Sequence, residues 1–233
     1  MKDLSIVSNQ IQYVTNFQDL VSIPFHGDIN AMCWNRKLIG DFSEIVSKVE
    51  LNENIIELGE EELRELQLTE QGQLAREILL NDLKILKENG ASPLLNIIKC
   101  YERDDVLPFF PTDVYSFHVD RSPIPTSTYL CTYHGDSSEI IPNSQAIQKV
   151  LVSEIREELK KIYSAGSKEG FEAFLSEHFF DLHYKAKSDA RPFSLGVGHL
   201  WKLAVDHPES KVLPCVHRAP IEKNGVHRLM LIC

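Results

Sequence analysis

YSFHVDRSPIPTSTYLCTYH, residues 115–134, decides how the chain is read. Thr126 to His134 is the strongest strand signal in the protein, because Thr and Tyr side chains suit a pleated, half-buried surface. DVYSFHVD, residues 113–120, reads as the strand before it, and Arg121 to Pro125 as the turn or rim segment between them. Side chains two apart on a strand share a face. His118 and Asp120 therefore point the same way, about 7 Å apart along the backbone. An imidazole and a carboxylate so placed need one more distant ligand to complete a facial triad for non-haem iron, with positions left open for co-substrate and oxygen.

His-x-Asp occurs three times, so the pattern does not select itself. His26-Gly27-Asp28 follows Pro24, and Gly27 favours a loop over a strand. His134-Gly135-Asp136 reads as a strand end; His134 and Asp136 rank below His118 and Asp120 as competing ligands. His217 is the distant third ligand in this reading, and Arg228 a co-substrate anchor.

Working outward, Asp41 or Ser43 caps a helix over FSEIVSKVEL, a second helix begins near Gly59, and Thr69 caps a third. Leu74, Ile78, Leu79, Leu83 and Leu86 form the apolar stripe of that third helix, and Asn89-Gly90 ends it. Residues before 36 read as irregular or short-stranded. LLNIIKCYE, from residue 94, is a strand. Residues 144–180 return to helix, with AIQKVLVSEIREELKKIYSAG and then GFEAFLSEHFF; His178 and His183 are placed at a surface or interface of this insert. LGVGHLWKLAV, KVLPCVHRAP and GVHRLMLIC close the chain as strands. The whole reads as an α+β protein with a single domain over 1–233. Residues 1–93 are a mostly helical support, and 94–233 are a β core with a helical insert at about 144–180.

Composition bounds the chemistry. The chain has 233 residues, 43% hydrophobic and 25% charged, the balance of a soluble globular protein. A formal net charge of -10 repels phosphate backbones, so no nucleic-acid partner is expected and a small molecule is. The five cysteines are scattered without a C-x-x-C, which fits neither a disulfide framework nor a zinc knuckle and points to a reducing, cytoplasmic compartment. MKDLSIVSNQ lacks the basic and apolar regions of a signal peptide, and no apolar run approaches a membrane span.

Asn224-Gly225 is a strong two-residue hairpin signal. A hairpin there pairs Ile221 with Arg228 and His217 with Ile232, and puts all four on one face. Arg228 then lies about 13 Å along the ladder from His217. A small dicarboxylate fits that span, with its far end held in the planar fork of arginine. Pro220 interrupts this ladder.

A His-x-Asp on an early core strand, a distant His on a late strand and an Arg about ten residues further on resemble the Fe(II)/2-oxoglutarate-dependent dioxygenases over roughly residues 94–233. The resemblance implies a double-stranded β-helix, a cupin-like jelly roll. It also implies metal ligation by His118, Asp120 and His217, with Arg228 on the far carboxylate of 2-oxoglutarate. Many such enzymes carry a Ser two residues after the Arg, where this chain has Met230. Thr128 and Tyr133 lie on opposite faces of their strand, and each offers a hydroxyl to the co-substrate. FHVD, CTYHG, VHRAP and HRLMLIC also resemble an uncharacterised bacterial family, domain of unknown function 1826. The leading expectation is an oxygenase using Fe(II) and 2-oxoglutarate on an unknown substrate. The alternative is a non-catalytic cupin-like protein that binds zinc or another divalent metal in homeostasis or sensing. A third reading is a non-enzymatic interaction module.

Overall fold

The structure is a computed structural model that describes residues 9–163, 168–223 and 225–233. β1 (Ile11–Val14), α1 (Phe17–Ser22) and β2 (Ala31–Trp34) come first, then α2 (Phe42–Lys48), β3 (Ile55–Glu57), α3 (Glu60–Glu65) and α4 (Glu70–Glu88). β4 (Leu94–Ile98), β5 (Phe117–His118), β6 (Ser127–His134), β7 (Glu139–Ile140) and β8 (Ala146–Gln148) follow. α5 (Ser153–Ile162) and α6 (Lys168–Glu177) lead to β9 (His183–Ala186), β10 (Phe193–Ser194), β11 (Leu200–Ala204), β12 (His217–Arg218) and β13 (Arg228–Ile232).

The helices start where the capping residues stand. The Asp41 carboxylate accepts from the Ser43 and Glu44 amides, and the Thr69 hydroxyl accepts from the Gly72 amide. Gly90, with φ +82°, ends α4 in the left-handed region that glycine enters without a Cβ clash.

The strands form two sheets, β1-β2-β11-β6-β13-β4-β3 and β10-β7-β12-β5-β9-β8. Four antiparallel pairings are nested: β4 with β13, β5 with β12, β6 with β11, and β7 with β10. Two apolar layers follow from the period-two alternation of β6 and β13. Cys131, Tyr133, Leu229 and Leu231 face α2 and α4, where they meet Ile45, Leu79, Leu83 and Leu86. Leu130 and Met230 face the other way and meet Ile140 of the second sheet and Cys215, two residues before β12. Each fully buried leucine of α4 contributes about 1.5–3 kcal/mol by leaving water.

Several expectations are corrected here. The closing hairpin does not form: β12 pairs with β5 and β7, whereas β13 pairs with β4 and β6 in the other sheet. Val226 does donate to the Lys223 carbonyl at 3.0 Å, so the chain turns there, but Asn224 itself lies outside the described residues. Pro220 lacks the donor a ladder needs, the chain passes from one sheet to the other after Ala219, and Ile221 is exposed. The expected helix over 144–166 is only Ser153–Ile162 among the described residues; residues 164–167 lie outside them. Before it, Ala146–Gln148 pairs with β9, and Lys149 turns inward to donate to the Pro111 carbonyl and the Ser116 hydroxyl at 2.7 and 2.6 Å. A partner strand here overrides helical spacing. The N-terminal segment is also more than a helical support, since β1, β2 and β3 extend both ends of the seven-stranded sheet. All five cysteines are free, and no helix among the described residues is long and apolar enough to cross a membrane.

Candidate metal centre

β5 is where alternation becomes chemistry. Phe117 and Val119 are buried in a cluster with Ile141 and Val216, which turns His118 and Asp120 to the opposite side. His217 is the direct cross-strand partner of His118, and the two rings lie 4.5 Å apart between centroids. His217 Nε2 is 3.7 Å from Asp120 Oδ2. One ligand atom from each of His118, Asp120 and His217 lies within 4.8 Å of the others. Among the described residues no other group of three His, Cys, Asp or Glu side chains comes together in this way.

The surroundings fix these donors. His118 Nδ1 lies 2.7 Å from the Ser116 carbonyl and His217 Nδ1 3.1 Å from the Cys215 carbonyl. A carbonyl only accepts, so each Nδ1 carries the proton and Nε2 is left as the lone-pair donor. Thr128 Oγ1 donates to Asp120 Oδ2 at 2.5 Å and holds the carboxylate plane. Burial, and then the neighbouring His217, pull the His118 pKa down to about 4. Burial alone would raise the Asp120 pKa, but His217, the Thr128 hydrogen bond and His118 outweigh it and hold it below its ordinary value. Near neutral pH the cluster offers a carboxylate and a neutral His118 imidazole beside His217. This nitrogen–oxygen donor set fits a divalent transition metal, iron or zinc alike.

Arg228 begins β13 and is 1% exposed. Its guanidinium donates to the Tyr101 hydroxyl at 3.4 Å, the Ser138 hydroxyl at 3.2 Å and the Met230 sulfur at 3.2 Å, and its Nε has no partner. No ion pair joins it to a carboxylate among the described residues. Burial accordingly lowers its pKa. Ser138 stands two residues before Ile140, the other cross-strand partner of His217, so its backbone lies about 7 Å along the chain from that pairing. Gly135 permits the approach: at φ +83°, a Cβ there would sit 3.0 Å from Arg228 Cγ and 2.9 Å from the His227 carbonyl.

The remaining candidates fall elsewhere. Thr128 donates to Asp120. Tyr133 is buried on the helix side of β6, where its hydroxyl donates to Asp82 at 2.6 Å, and Arg36 holds the same carboxylate with two bonds of 2.7 and 2.5 Å. The closed network turns the Tyr133 hydroxyl away from the inter-sheet space that holds Arg228. Asp136 pairs with Lys223 at 2.9 Å, and His26 sits in an exposed turn against the Pro24 carbonyl. His183, placed at a surface or interface by the sequence, is 6% exposed and pairs with His118 from β9. Its signal was the alternation in HYKA, hidden by its place just after the helical insert.

Together these features define a β-rich α+β protein with a candidate two-histidine, one-carboxylate metal centre between its sheets. No family model, curated protein or solved structure matches the chain.

Proposed function

We propose that the protein is an iron(II)- and 2-oxoglutarate-dependent oxygenase built on a double-stranded β-helix. The nested pairing of β4 with β13, β5 with β12, β6 with β11 and β7 with β10 supports that fold, because it is a long antiparallel ribbon rolled into two facing sheets. His118, Asp120 and His217 hold the metal. Iron and 2-oxoglutarate, when bound, supply the oxidising chemistry.

The observation that carries the reading is the buried guanidinium of Arg228 with no carboxylate in ion-pair contact; Glu222, bonded to the Tyr115 hydroxyl, acts on it only from farther away. A buried charge needs a counter-charge. The far carboxylate of a dicarboxylate chelating the metal supplies one, and the planar fork grips it with two hydrogen bonds. Tyr101 and Ser138 orient the fork, while Met230 and Ile98 line the apolar layer that keeps water away.

The test is calorimetric titration of 2-oxoglutarate into anaerobic, Mn(II)-loaded wild type and Arg228→Ala. Loss of a shielded charge-assisted contact costs about 2–5 kcal/mol, so binding weakens more than tenfold while metal affinity stays unchanged. Arg228→Lys recovers only part of the loss, because a point charge lacks the fork. Equal binding by wild type and Arg228→Ala sinks the oxygenase and leaves a plain zinc- or divalent-metal-binding cupin.

A further inference from the structure

The metal ligands belong to a longer row of imidazoles. His183, His118 and His217 stand in register on three adjacent strands, with ring centroids 6.0 and 4.5 Å apart. His118 and His217 each spend Nδ1 on a backbone carbonyl; His183 does not, and its buried Nδ1 has no partner. Among the described residues its aromatic neighbours are Phe110 and His118, with ring centroids 6.1 and 6.0 Å away. Buried polar atoms in folded proteins are nearly always satisfied, and an exception calls for a missing partner.

The same residue borders open space. A cleft of about 470 Å³ is lined by His183, His118, Asp120, Thr112, Leu182 and Phe179. Phe179 is the only non-glycine residue with positive φ among the described residues, at φ 58°, yet it is 58% exposed. A bulky side chain held in the left-handed region is strained, and such strain concentrates at ligand-binding positions. The orphaned imidazole and the strained aromatic are independent observations, and both border one cleft.

We propose that His183 contacts the primary substrate and that this cleft takes a molecule without an anionic group, with an apolar body and one hydroxyl or amide group. This rests on the metal-centre reading above and adds the class of molecule presented to it. The imidazole meets the polar group beside the metal ligands, and Phe179 and Leu182 cover the apolar body. An anion finds no free cation here. Arg121 is paired with both Asp181 and Asp206 at 2.7 Å, and Lys149 is turned to Pro111 and Ser116. The Asp104 carboxylate, held by Thr112, adds negative charge near the cleft.

The experiment is saturation-transfer NMR with benzyl alcohol, toluene and benzoate as probes. The proteins are wild type, His183→Phe, His183→Gln and Phe179→Gly, each metal-free and Mn(II)-loaded. Wild type binds benzyl alcohol in preference to benzoate, and Mn(II) broadens the bound alcohol. His183→Phe weakens the alcohol about fivefold, the size of one neutral hydrogen bond, and leaves toluene unchanged. His183→Gln regains most of that loss. Phe179→Gly, at an exposed site where glycine relieves the strain, weakens both the alcohol and toluene. The inference is overturned if wild type binds no benzyl alcohol, if benzoate binds better, or if the His183 and Phe179 variants bind like wild type. Mn(II) affinity, measured separately by calorimetry, isolates the parent reading. Probe discrimination without metal binding keeps the His183 contact and removes the oxygenase; metal binding without discrimination does the reverse.

Discussion

His118 and His217 are direct partners across an antiparallel pair, with ring centroids 4.5 Å apart and each Nδ1 tied to the carbonyl two residues earlier in the chain. Two imidazoles held this close, with Nε2 free and a carboxylate alongside, make a cation the natural occupant. A divalent metal held there would stabilise the fold. At a metal concentration 100 times Kd the gain is about 2.7 kcal/mol. Thermal unfolding with and without Co(II) detects it in wild type. His217→Ala and His118→Ala abolish the shift, while His26→Ala, in an exposed turn, preserves it. A shift that survives in His217→Ala refutes the triad.

The Thr128 hydroxyl orients the Asp120 carboxylate. Thr128→Val keeps the side-chain volume but removes the donor that orients the carboxylate, and metal affinity falls about 10- to 100-fold, as for other groups that support a ligand. Thr128→Ser restores it. Calorimetric titration of Mn(II) reads the difference; unchanged affinity in the Val variant removes this role.

Arg228 is a liability to the empty fold. Its buried charge has no carboxylate in ion-pair contact and is offset only by Glu222 from farther away, so Arg228→Met leaves the metal-free protein as stable as wild type or more stable by about 1 kcal/mol or more. Urea unfolding of the metal-free proteins measures this. A loss of more than about 2 kcal/mol marks Arg228 as a structural residue and weakens the anchor.

Acid destabilises the metal-free protein. Burial, with His217 beside it, lowers the His118 pKa to about 4, and burial, with His118 and Lys149 nearby, lowers that of His183 to about 3; both start from 6.5. Below 6.5 the unfolded chain takes up protons that the folded one refuses. The stability of the neutral imidazoles is complete above that pH and is lost as the pH falls through the two folded values. In His183→Phe the slope of stability against pH, between pH values of about 6 and 5, is shallower by about 1.4 kcal/mol per unit. Urea midpoints of the two proteins at those pH values check it, and identical slopes remove His183 from the account.

Local signals in the sequence were enough for what depends on near neighbours. Asp41 and Thr69 cap α2 and α4 because a short polar side chain reaches the next free amides wherever a helix begins. Period-two alternation put His118 and Asp120 on one side of a strand, and the β-branched and aromatic run of Ser127–His134 is β6. Alternation does not say which side is inside. Tyr133 and Thr128 were equivalent as hydroxyls until α4 covered one face of β6 and brought Asp82 to Tyr133. Pairing partners were equally out of reach. Asn224-Gly225 carries a hairpin signal, but β12 and β13 belong to different sheets, and no spacing along the chain encodes that choice. His217 thus meets His118 through a pairing across about a hundred residues, decided by which apolar faces the two sheets bury together. The same pairing of β9 with β5 drew His183 into the row and left its Nδ1 without a partner, which only the assembled interior reveals.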